Sequence, residues 1–115
     1  MIALLIVLAN VVLLVTGQLL WKVTLNKYPL KSWDSILTIL LQPSMIAGCV
    51  LFVLATLIWF YALSRYDLSR VYPLQSMAYV LGAVGGVLFF KETITMTQWL
   101  GMVIILVGVV VFAKA

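Results

Sequence analysis

Four stretches of this chain carry no charge at all: Met1 to Trp21, Ser44 to Leu63, Val71 to Phe90 and Thr97 to Ala113. Each is close to the ~20 residues that a helix needs to cross about 30 Å of hydrocarbon. The three acids, Asp34, Asp67 and Glu92, and all seven Lys/Arg residues fall between these stretches or at their edges. Inside a bilayer no water satisfies exposed N–H and C=O groups, so a spanning segment must be a helix or part of a closed barrel. None of the four alternates polar and apolar residues with period two, which excludes barrel strands. The expectation is an all-α integral membrane protein with four transmembrane helices, about 2–22, 44–63, 71–90 and 97–113, in a single domain covering 1–115. Composition agrees: 66% of residues are hydrophobic and 9% charged, where a soluble domain carries about 25% charged residues.

The first stretch lacks a basic leading region and a small-residue cleavage site, so it reads as a retained span and not as a signal peptide. The lone Cys49 lies inside the second span and has no partner for an intrachain disulfide. A net charge of +4 would suggest nucleic acid in a soluble protein. Here the basic residues flank membrane spans, where lipid headgroups and topology account for them, so no nucleic-acid partner is expected. Lys22, Lys27, Lys31 and Lys91 fall on one side of the membrane, and Arg65, Arg70 and Lys114 on the other. A bias of four to three barely specifies an orientation, and insertion both ways would allow an antiparallel dimer. None of the seven has a counter-ion inside a span.

Polar side chains within the spans mark the candidate site, because an amide in lipid turns toward protein or a cavity. The first span carries Asn10, Gly17 and Gln18, with Lys22 one turn beyond Gln18. The third span opens with Tyr72 and Pro73 and then places Tyr72, Gln75, Ser76, Tyr79, Gly82, Ala83 and Gly86 at helical spacing on one face. These residues are expected to line a binding cavity, with Lys22 as a candidate to hold a phosphate at the membrane boundary and Arg70, whose planar fork suits phosphate, as a second. Between the first two spans, Ser32 can cap a short helix with Asp34 in its first turn. Trp33, Ile36, Leu37 and Leu40 follow helical spacing there, predicting an interfacial segment over about 33–42. The fourth span is nearly pure aliphatic, with Gly101 and Gly108 seven apart on one face, which predicts a dimer interface. Histidine is absent, and no nucleophile–base pair, metal-ligand cluster or phosphate loop occurs. Neither an enzyme nor a bound cofactor or metal is expected.

Several of these segments carry a family resemblance. The run from Ala62 through Ser64-Arg65-Tyr66-Asp67-Leu68-Ser69-Arg70 to Tyr72-Pro73-Leu74 resembles a helix junction of the drug/metabolite transporter superfamily. So do Phe89-Phe90-Lys91-Glu92-Thr93-Ile94-Thr95, Gln98-Trp99-Leu100-Gly101 and Gly17-Gln18-Leu19-Leu20-Trp21-Lys22. Four helices place the chain in the small multidrug resistance size class, whose bundles the resemblance implies act as dimers. Aligning Gly17 and Lys22 with that class puts the essential acid of its drug exporters at Leu14, where this chain departs from the pattern. The Gly-Gln and Lys arrangement, Tyr72-Pro73 and Lys91-Glu92 look more like the EamA-like flippase subunits for aminoarabinose-phosphoundecaprenol. That resemblance implies a transporter flipping a polyprenyl-phosphate-linked sugar across the bacterial inner membrane, as a homodimer or paired with a related small subunit. Two alternatives stay open: an exporter of small cations, polyamines or drugs, and an accessory membrane subunit that transports nothing.

Overall fold

The computed structural model describes residues 2–114. Helix α1 (Ile2–Lys27) continues past Trp21 and Lys22 to Lys27. It is followed by α2 (Trp33–Leu40), α3 (Pro43–Arg65), the short α4 (Leu68–Val71), a 3-10 turn (Pro73–Ser76), α5 (Met77–Phe90) and α6 (Met96–Lys114). The segments from Leu68 to Phe90 act as one span, so four helices are long and apolar enough to cross a membrane. The described residues contain no strand.

Local chemistry explains the boundaries. Pro43 begins α3 at its first position, where a missing N–H removes no helical bond. Pro73 cannot be absorbed so easily. It has no N–H, and its ring crowds the carbonyl one turn back, so the expected continuous helix over 71–90 instead tightens into the 3-10 turn before α5 starts. At the far end of α5, Lys91 adopts φ 54° and ψ 32°, and it is the one non-glycine with positive φ among the described residues. There the N–H groups of Lys91 and Glu92 both turn back to the Gly86 carbonyl, the latter at 3.3 Å. This closes the helix as a left-handed cap does. Thr95 and Gln98 then start α6 reciprocally: the Thr95 N–H donates to Gln98 Oε1 at 2.8 Å, and the Gln98 N–H to Thr95 Oγ1 at 3.1 Å.

Helix α2 is short and exposes Trp33, Leu37 and Leu40 while burying Ile39. An apolar face open to the outside, at the end of a membrane span, suits the headgroup boundary.

The bundle is organised around α1 and α3, which pack antiparallel. As α1 numbering rises, its partners on α3 fall: Asn10 Nδ2 donates to the Ala55 carbonyl at 2.6 Å, Trp21 Nε1 to the Met45 carbonyl at 3.2 Å, and the hydroxyls of Thr24 and Ser44 bond to each other. Between them, Gly17 faces Gly48. A Cβ on Gly17 would stand 2.9 Å from the Gly48 carbonyl oxygen, and one on Gly48 would stand 2.8 Å from that of Gly17. Lipid tails are as apolar as leucine, so helices in a bilayer associate through such close backbone approach and not through hydrophobic burial. Val7, Val11 and Val15 of α1 then meet Ala62, Val71, Leu74 and Met77 to form the buried core. Helix α6 packs against α5 and the 3-10 turn, with Val109 reaching the core.

The crossing generates a stability test. Gly48→Ala forces a methyl into the Gly17 carbonyl and the Trp21 ring, at an expected cost of about 1–3 kcal/mol. Gly82→Ala adds its methyl to open space and is expected to stay within about 0.5 kcal/mol. Unfolding in mixed detergent micelles measures both, and equal stability of the two variants would refute the crossing.

Candidate functional site

Helices α1 and α5 lie side by side and run in the same direction. Gln75 Nε2 donates to Asn10 Oδ1 at 3.0 Å, while twelve residues further along α1 the Lys22 ammonium lies 3.8 Å from Glu92 Oε2. At a rise of 1.5 Å per residue these two levels are roughly 18 Å apart. Between them the helices leave a groove made of two hollows that share Gln18. The first, about 270 Å³, is lined by Leu14, Gln18, Tyr72, Gln75, Ser76 and Tyr79. The second, about 330 Å³, is lined by Gln18, Lys22, Gly82, Gly86, Phe90 and Glu92.

Most of the residues singled out in the sequence therefore meet. Gln18 joins the two hollows. Tyr72 and Tyr79, 60% and 70% exposed, stand on the open side of the first. Gln75 and Ser76 are half-buried; Gln75 turns toward Asn10, and the Ser76 hydroxyl donates to the Pro73 carbonyl at 2.7 Å. Gly82 and Gly86 of the same stripe open the second hollow by having no side chain.

Three placements differ from a single shared cavity. Asn10 is only 2% exposed and spends its amide on Ala55 and Gln75, so it supports the groove from behind. Arg70 stands outside both hollows with its guanidinium 5.7 Å from the Tyr66 ring centre. It precedes the Asn10–Gln75 level, whereas Lys22 lies at the opposite end, so one phosphate cannot touch both. Gly101 and Gly108 are on α6, away from the groove, and a Cβ at either would meet nothing.

Lys22 has a counter-ion at the edge of the spans, in Glu92 of the turn after α5, while no acid stands inside a span. Glu92 reaches it because the left-handed turn at Lys91 folds the chain back over α5, and because Gly86 leaves room for the carboxylate. The two side chains are 49% and 50% exposed. A pair so open contributes at most about 1 kcal/mol. Its importance is positional: it puts one positive and one negative group at the same end of the groove.

The groove's chemistry follows. Its interior offers amides and phenols able to donate and accept, and the Ser76 hydroxyl, which can accept while its proton goes to Pro73. Leu14 faces the first hollow, so no carboxylate stands at that level. A neutral, polyhydroxylated group has partners through the first hollow and at Gln18, and an anion has one in Lys22 at the far end.

Residues 1–114 match the EamA-like transporter family. The chain is 35% identical over 96 residues, 81% of its length and 81% of the relative's, to a protein of Aeromonas salmonicida (strain A449) named probable 4-amino-4-deoxy-L-arabinose-phosphoundecaprenol flippase subunit ArnE. A protein of the same name from Aeromonas hydrophila subsp. hydrophila is 35% identical over 95 residues, 80% of each chain. One from Hamiltonella defensa is 38% identical over 47 residues, 41% of this chain and 42% of the relative. No solved structure matches.

The amide pair behind the groove is open to measurement. Asn10→Leu strands the Gln75 amide and is expected to destabilise by about 1 kcal/mol. Adding Gln75→Leu removes the stranded group, so the double variant is expected to recover part of that loss. A double-mutant cycle by detergent unfolding checks this, and strict additivity would dissolve the pair.

Proposed function

The chain belongs to the EamA-like transporter family, and from that premise we propose that it is a flippase subunit that carries a polyprenyl-phosphate-linked sugar across the bacterial inner membrane. The observation that carries this reading is the groove between α1 and α5, uncharged up to its Lys22–Glu92 end, with Gln18, Tyr72, Gln75, Ser76 and Tyr79 set among apolar lining residues. The names of the relatives, which describe flippase subunits for an amino-sugar phosphoundecaprenol, point the same way.

The physical problem of flipping is the headgroup. Moving a hydroxyl into hydrocarbon without a partner costs roughly 2–7 kcal/mol. Gln18, Gln75, Tyr72, Ser76 and Tyr79 replace that hydration step by step as the sugar passes. The polyprenyl tail stays in lipid, because the groove is open on the side of Tyr72 and Tyr79. Phosphate meets a cation at either end, Arg70 near one leaflet and Lys22 near the other, with no charge between to trap it. Leu14 supports this substrate over an organic cation: the level at which a drug-exporter acid would sit is apolar. A single copy supplies only one wall of a path. A second copy or a related small subunit completes it, and Gly101 and Gly108 on the outward side of α6 offer the close helix approach such a pairing needs. The chemistry is binding and translocation, with no bond made or broken.

The test is lipid retention. Protein purified in mild detergent is expected to carry polyprenyl-phosphate-linked lipid, identified by mass spectrometry. Lys22→Ala should lower that retention about tenfold, the equivalent of one charge-assisted hydrogen bond, with helix content intact. Undiminished retention would remove Lys22 from the path. Proton-competitive binding of a quaternary ammonium compound, without polyprenyl phosphate, would overturn the whole reading.

A further inference from the structure

We propose that the outer face of the α1–α3 pair is a lipid site separate from the groove, holding one acyl chain of an anionic glycerophospholipid with its phosphate at Arg65. Two apolar hollows form a continuous furrow there. One, about 440 Å³, lies between Ile2, Leu5 and Ala9 of α1 and Leu57, Ile58 and Tyr61 of α3. The other, about 510 Å³, continues along α1 past Leu8 and Val12 to Leu13. The two share Leu5 and Ala9, and neither shares a residue with the hollows of the groove.

Helical spacing puts the furrow where it is. Leu5, Leu8, Ala9 and Val12 recur at i, i+3, i+4 and i+7, so they share one face of α1. Leu14 of the groove comes two residues after Val12, a rotation of roughly 200°, so groove and furrow occupy opposite sides of the helix. Ala9 is exposed, and its short side chain between leucines leaves the dent that joins the two hollows.

Length and charge select the occupant. From Ile2 to Leu13 the furrow runs roughly 16 Å at a rise of 1.5 Å per residue. One leaflet of hydrocarbon is about 15 Å deep, half of about 30 Å. The furrow thus reaches from the membrane boundary to the midplane, as one acyl chain does. A partner helix would cross both leaflets and favours small residues at its contact, whereas this face offers Leu5, Leu8 and Val12 around the single Ala9. At the mouth, Tyr61 lines the first hollow, and Arg65, one turn further along α3, holds its guanidinium 5.4 Å from the Tyr61 ring centre. Arg65 is exposed, and among the described residues no carboxylate pairs with it. Its planar fork suits a phosphate. A net anionic headgroup fits better than a zwitterionic one, which would bring its own cation beside the guanidinium.

Phosphatidylglycerol and phosphatidylcholine, each with a photoreactive diazirine midway along one acyl chain, test the site on full-length protein in nanodiscs. After irradiation, peptide mapping is expected to find phosphatidylglycerol adducts on residues 2–13 and 57–61. They should exceed those of phosphatidylcholine about fivefold, the equivalent of one basic residue beside an anionic headgroup. Arg65→Gln should bring that ratio toward one. Ala9→Phe, which fills the furrow and keeps the charge, should lower labelling there by both lipids. Equal labelling by the two lipids in the unaltered protein, or adducts spread evenly around the outside of the bundle, would overturn the site, and neither result depends on how a variant folds. Crosslinks from Leu8→p-benzoylphenylalanine to a second chain would also overturn it, by giving this face to another copy. The flippase reading stands or falls separately, because no furrow residue lines the groove.

Discussion

The side-chain amide of Asn10 ties three segments of this protein together, and the groove takes its shape from that knot. Asn10 lies inside α1 and is almost wholly buried. Its NH₂ reaches the Ala55 carbonyl of α3, and its oxygen accepts from Gln75 of the 3-10 turn. In water such an amide could turn outward and lose little. In hydrocarbon no solvent replaces a lost partner, so the amide constrains how α1 is rotated against both neighbours. That rotation sets Gly17 against Gly48 on one side of α1 and aims Gln18 and Lys22 along α5 on the other. With Gln75 drawn inward, Tyr72 and Tyr79 are left on the outer edge.

Electrostatics arranges the remainder. A charge at the middle of a bilayer is costly enough that lysine and arginine retreat to helix ends, where long side chains reach the headgroups. Here that rule leaves the middle of the groove uncharged, with Leu14 at the level where an acid would otherwise hold a cation. A neutral middle holds no charge that would trap an ion of either sign. It also requires that any charge recognition happen at the boundary, where Lys22 and Glu92 stand about half exposed.

Much of this was legible in the sequence, because membrane spans obey a simple length rule and polar residues within them are few. The stripe from Tyr72 to Gly86 was readable from spacing alone, and all of it but Ala83 lines the two hollows with Gln18 and Lys22. What escaped had no local signal. Spacing identified Asn10 as polar within a span but could not distinguish facing a cavity from facing α3, since that depends on a partner 45 residues away. Glu92 is 70 positions from Lys22, and their meeting hinges on a left-handed turn at a lysine, which composition does not announce. Pro73 did announce a disturbance, but a proline early in a helix is usually tolerated. Only the packing decides that here the helix tightens, so that Gln75 meets Asn10. Arg70 shows the converse: its sequence proximity to the stripe suggested a shared site, yet it precedes the break and stays with Tyr66.

The interfaces of the bundle are unequal, and the inequality bears on where the groove can open. The α1–α3 seam combines backbone contact at Gly17 and Gly48 with hydrogen bonds at Asn10, Trp21 and Thr24. The α1–α5 seam has the Gln75 amide, Leu19 against Gly85 and a half-exposed ion pair. Interhelical hydrogen bonds in membranes average only about 0.6 kcal/mol, and an exposed ion pair contributes about as little. The α1–α5 seam is therefore the weaker one. It is also the seam that contains the groove, and a 3-10 turn, a common site of hinging, lies at one end of it. A more firmly held α1–α3 floor with a lightly held α5 wall concentrates motion at the groove. Loss of the Lys22–Glu92 contact would remove one of the few ties that keep that wall in place.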